Sequence, residues 1–132
     1  MLTDGRGVPL SVVLGPANMH DKWLLAATLD AVVLRAGPYP RRPRHCCLDK
    51  GYAFRDCAAA LADRHIVSHI RQKGERPLVG RVRGRPRRWV VERTNSWHNR
   101  FRALLIRWER KAANYLALTH LASALIALRA AR

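Results

Sequence analysis

Apolar positions along the chain fall in short blocks that switch between the two-residue period of strands and the three- to four-residue period of helices. Asp4-Gly5 is a hairpin-turn pair, and the Val- and Leu-rich run 8–14 after it reads as a strand. Residues 18–21 form a loop entering a helix, with Asp21 near the cap and Trp23, Leu24, Ala27, Leu29, Val32 and Val33 along it. Gly37-Pro38 and Pro40 end that helix. The apolar run 44–48 predicts a short strand that delivers Asp49, and Lys50-Gly51-Tyr52 turns the chain. A helix follows over 54–64, with Ala58, Ala59, Leu61 and Ala62 inward. The strand over 66–70 places Ile66, Ser68 and Ile70 on one face and Val67 and His69 on the other. The stretch 71–88, rich in Gly, Pro and Arg, reads as a basic loop. A helical part over 89–129 completes the chain: one helix from Trp89 to about Arg110, and another over 112–129 packed by Leu118, Leu121, Leu125 and Leu128. Strands alternating with helices predict an α/β fold, a sheet flanked by helices with two further helices at the C-terminus.

Charge narrows the function. The 132 residues hold 25 Lys and Arg against 9 Asp and Glu, a formal net charge of +16. With 48% hydrophobic and 26% charged residues the chain is globular and not a disordered tail. Such positive charge repels itself unless a polyanion neutralises it, which points to nucleic acid. The densest stretch runs from Arg71 to Arg93, with nine basic residues against Glu75 and Glu92. It reads as an arm that lies on a phosphate backbone. The apolar tail 116–128 is too short to span a membrane and is interrupted by Thr119, His120 and Ser123. Cys46, Cys47 and Cys57 form no CxxC, and His45-Cys46-Cys47 has no second half of a zinc site in the sequence. They read as buried thiols in a reducing cytoplasm.

Two carboxylates stand apart from the other acidic residues. On the penultimate helix Val90, Thr94, Trp97, Phe101, Leu104 and Trp108 share a core stripe, and Glu92 lies opposite it. Arg88 sits one turn before Glu92, and Arg93, Arg100 and Arg107 follow one another at seven-residue spacing beside it. An Arg88–Glu92 ion pair would contribute only about 0.3–0.5 kcal/mol. Asp49 changes the weighing, because strand C-terminal ends are where α/β folds present chemistry. An Asp at a strand end and a Glu on a later helix can meet at a sheet edge, the kind of cluster that Mg²⁺-assisted phosphodiester chemistry uses. Asp21, Asp30, Asp56, Asp63 and Glu109 read as solvated charges at caps and helix faces.

These residues also carry a family likeness. The stretches Asp4-Gly5-Arg6-Gly7, Asn18-Met19-His20-Asp21, Leu48-Asp49-Lys50-Gly51-Tyr52 and Arg88-Trp89-Val90-Val91-Glu92-Arg93 run in the order found in DDE transposases of bacterial insertion sequences. The chain resembles the C-terminal portion of that family's catalytic domain. The resemblance implies a single, truncated RNase H-like domain over 1–132 and a two-ion Mg²⁺ site. Asp49 and Glu92 are then the second and third metal-binding carboxylates, and the first lies on a strand upstream of Met1. Lys50, Arg88, Arg93 and Arg100 are the implied phosphate contacts. Arg85 stands where the family has a Tyr, and Asn99 where it has a Lys. The implied partners are double-stranded DNA, at element ends and target, and further copies of the chain in a synaptic complex. The implied activity is DNA strand cleavage and transfer, with this chain alone inactive for want of the first carboxylate. The alternative is a non-catalytic nucleic-acid-binding remnant.

Overall fold

A computed structural model describes residues 1–32, 35–36, 39–40, 43–70 and 88–132. Strand β1 (Leu2–Thr3) pairs antiparallel with β2 (Pro9–Ser11). A 3₁₀ turn, Asp21–Leu24, leads into α1 (Leu25–Asp30). The small hairpin β3 (Arg35–Ala36) and β4 (Tyr39–Pro40) follows. Next come β5 (His45–Leu48), a second 3₁₀ turn (Lys50–Tyr52), α2 (Arg55–Ala62) and β6 (Val67–Ile70), with β5 and β6 parallel. The chain ends in α3 (Arg88–His98), α4 (Arg102–Leu105) and α5 (Ala112–Ala130). No helix among the described residues is long and apolar enough to cross a membrane. The expected basic loop lies outside the described residues up to Arg88, which opens α3.

The α/β alternation holds, but a single mixed sheet does not form among the described residues. Strands pair as β1–β2, β3–β4 and β5–β6. The first and last of these meet through side chains instead: Leu2 packs on the core formed by Leu25, Leu29, Cys46, Cys57, Leu61 and Ile66. On α2 that core takes Cys57 and Leu61 and leaves Ala58, Ala59 and Ala62 exposed, contrary to the expected inward set. Leu61 and Cys57 are the larger groups one turn apart, and turning them inward buries more apolar surface than the alanines could. On the first helical segment Trp23 is 64% exposed, and Leu25, Thr28 and Leu29 face inward.

The helix expected over 89–110 stops at His98. Its last turn tightens, with Arg100 N–H donating to Trp97 and Phe101 N–H to His98. The break serves long-range contacts: His98 meets Ser123 Oγ through Nε2 at 3.0 Å, and Tyr115 Oη donates to the Leu104 carbonyl at 3.1 Å. Both tie the 98–105 corner down on α5. The Arg93–Arg100–Arg107 row is therefore not one helical face, and Trp108, expected in the core, is 78% exposed. On α5 the inward residues are Thr119, Ala122 and Ile126, while Leu121, Leu125 and Leu128 are exposed. Small residues at 119 and 122 let α5 approach its neighbours closely, which a leucine stripe would prevent.

Candidate functional site

Asp49 follows the last residue of β5, at the C-terminal end of the parallel pair. Its backbone is extended, and its Oδ1 accepts from Gly51 N–H at 2.8 Å, so the carboxylate caps the turn it precedes. A Cβ at Gly51 would stand 3.0 Å from that same oxygen, so a side chain there would press on the carboxylate that caps the turn. Asp49 Oδ2 makes no hydrogen bond among the described residues, and Asp49 and Lys50 are both exposed. The Asp-Lys-Gly-Tyr segment thus exposes a carboxylate and, next to it in sequence, a lysine.

The 50–52 turn packs against the 21–24 turn. Between them Tyr52 is half-buried, and its hydroxyl is pushed up to about 12, first by burial and then by the negative charges of Asp21 and Asp49. Asp21, read from the sequence as a cap charge, therefore shares the neighbourhood of Asp49. The helix cap itself is His20, whose Nδ1 accepts from Lys22 N–H at 3.2 Å. Nothing in the sequence pairs residues 21 and 49, because the proximity arises from two turns meeting across the core. Lys22 locks the turns to α2: its Nζ lies 3.3 Å from Asp56 Oδ2, 4.5 Å from the Trp23 ring centre and 4.2 Å from that of Phe54. Trp23 and Phe54 still expose much of their surface beside Lys22.

Glu92 rests on a separate support. It is exposed on the second turn of α3, two residues before fully buried Thr94. Thr94 Oγ1 donates to the Gly7 carbonyl at 2.7 Å, with the Val90 carbonyl at 3.0 Å as a second acceptor. Gly7 has φ +89°, and a Cβ on it would stand 3.0 Å from Thr94 Oγ1, so only glycine allows this approach of turn and helix. The turn is held in shape by Asp4 Oδ1, which accepts from Arg6 N–H and Val8 N–H, both at 2.8 Å. Arg93 joins the same contact: its guanidinium lies 4.6 Å from the Trp89 ring centre and 5.6 Å from that of Trp97, and Nη1 donates to the Arg6 carbonyl at 3.3 Å. One N–H of Arg93 is thus used inside the protein, and its stacked plane leaves other donors for a ligand. Arg100 is exposed in the turn after α3, off the helix that carries Glu92.

The turn that carries Asp49 and the helix that carries Glu92 are therefore held by different contacts. Among the described residues no group of three or more His, Cys, Asp or Glu is placed to hold a metal ion. A two-ion site normally draws on more carboxylates than these two, and the donor set here does not fit one.

The Transposase DDE domain family model matches residues 1–127. A putative transposase for insertion sequence element IS402 of Burkholderia cepacia is 38% identical over 130 residues, covering 96% of this chain. The chain spans 60% of that relative's length. No solved structure matches. With its Asp-Lys-Gly-Tyr turn, its Glu-bearing basic helix and a family match over nearly all its length, the chain belongs to the DDE-domain transposases.

Proposed function

We propose that this chain is the DNA-handling C-terminal portion of an insertion-sequence transposase with an RNase H-like arrangement. It grips duplex DNA through Lys50, Arg88, Arg93 and Arg100 and contributes Asp49 and Glu92 to the metal-dependent centre of the whole protein. The observation that carries this reading is Asp49, fixed by its own turn at the end of β5 with one oxygen open and Lys50 next to it in sequence. The net charge of +16 supports a polyanionic partner, and three free cysteines accord with work in a reducing cytoplasm. In the whole protein the activity is DNA strand cleavage and transfer, carried out by paired copies on element ends.

Two carboxylates hold at most one Mg²⁺ well, so the 132-residue chain by itself binds DNA and neither nicks nor joins it. The test is duplex-DNA binding by fluorescence anisotropy across a salt series. Affinity is expected to fall steeply, with each neutralised phosphate contributing a log–log slope of about −0.9. Binding that is independent of salt, or absent at low salt, overturns the nucleic-acid reading. Mg²⁺ or Mn²⁺ is expected to raise thermal stability in the parent and not in Asp49→Asn. A chain that binds DNA with no such metal effect is instead the non-catalytic remnant. Plasmid nicking by the parent that Glu92→Gln abolishes refutes the assignment of inactivity.

A further inference from the structure

The sequence shows His45-Cys46-Cys47 without a partner for a metal site, but parallel pairing of β5 and β6 brings one. Residues 45 and 47 face the side of β5 opposite buried Cys46, and the register sets Cys47 beside His69. His45, Cys47 and His69 are all exposed on that face. The imidazoles of His45 and His69 stack, with ring centres 5.2 Å apart and planes 27° from parallel, and His45 Nδ1 stands 3.0 Å from His69 Nε2. Without an ion the two nitrogens share a proton, one ring donating N–H to the lone pair of the other.

We propose that His45 and His69 form a two-imidazole site for a divalent transition ion of the Ni²⁺ or Cu²⁺ class, with water completing its coordination. The spacing admits one ion between the rings. Two nitrogens each about 2.0–2.1 Å from one ion are about 2.9 Å apart at a right angle and about 3.3 Å apart at a tetrahedral one. The observed 3.0 Å, set here by the ion-free hydrogen bond, falls within that span. The donor type selects the class: imidazole suits these metals, whereas Mg²⁺ needs oxygen donors. The bound ion would clamp β5 to β6, the pair that presents Asp49, without using Asp49 itself.

The test uses Ni²⁺ as probe, since Cu²⁺ would oxidise the exposed Cys47 thiol. Calorimetric titration of the full chain carrying Cys47→Ser is expected to show one saturable Ni²⁺ site, undisturbed by millimolar Mg²⁺. His45→Thr and His69→Thr, which suit a strand and are checked for folding by circular dichroism, are each expected to weaken binding at least tenfold. His120→Ala, on exposed α5, is expected to leave binding unchanged. Ni²⁺ binding that survives both threonine variants, or no saturable binding by the folded parent, overturns the proposal.

Discussion

Replacing Thr94 by Val tests how α3 is held to the N-terminal turn. Valine keeps the shape and the β-branch and removes only the hydroxyl. Thr94 is 0% exposed and Gly7 is buried, so no water reaches the Gly7 carbonyl to replace the 2.7 Å hydrogen bond. Leaving a buried acceptor without its donor costs about 1–3 kcal/mol. For a chain of this length that corresponds to a fall in Tm of roughly 4 °C per kcal/mol. Gly7→Ala attacks the same contact from the other side. Its Cβ would meet Thr94 Oγ1 at 3.0 Å and the Val90 carbonyl at 3.3 Å, at a φ of +89° that a side chain tolerates poorly; such strain costs about 1–3 kcal/mol. Because both changes break one contact, the double variant should lose less than the sum of the single losses. Urea and thermal denaturation of the four proteins supply the comparison. Thr94→Val within about 0.5 kcal/mol of the parent, or strict additivity with Gly7→Ala, refutes the reasoning.

Stability should fall as pH rises from about 9 to 12. Burial, then the charge of Cys47, pushes the Cys46 thiol up to about 11, and Tyr52 rises to about 12, so the folded form holds protons that the unfolded chain releases first; Tyr52→Phe should flatten the upper part of that decline in Tm. In the native state iodoacetamide should modify exposed Cys47, with buried Cys46 and Cys57 reacting only on unfolding; mass spectrometry of peptides checks the order. On α5, Ile126→Ala should cost about 2–4 kcal/mol and Leu125→Ala less than about 1, measured by urea unfolding, since Ile126 is 7% exposed and Leu125 40%. Equal losses would mean that α5 is rotated from the orientation described.

The contrast on α5 marks where sequence reasoning stops. Residues 112–128 contain no Asp, Glu, Lys or Arg, and on such a helix the stripes 118–121–125–128 and 119–122–126 have equal claim to helical spacing. Periodicity cannot rank them; the choice fell to the small side chains that allow close packing. The end of α3 was hidden for a related reason, because the contacts that turn the chain after His98 come from Ser123 and Tyr115. Even the His45–His69 pair depends on a parallel register that no local pattern encodes.

Asp49 and Glu92 divide along the same line. Asp49 was legible as a strand-end carboxylate because its conformation is set by the next two residues, through the bond to Gly51. Glu92 was legible only as a charge on a polar helix face. Its place depends on Thr94 and Gly7, which are 87 positions apart and meet only once the chain has folded. A local turn tolerates loss of distant packing, whereas a helix whose place is set by long-range contacts does not. Glu92 is therefore the carboxylate whose position a loosened fold would lose first, while the Asp49 turn would keep its shape.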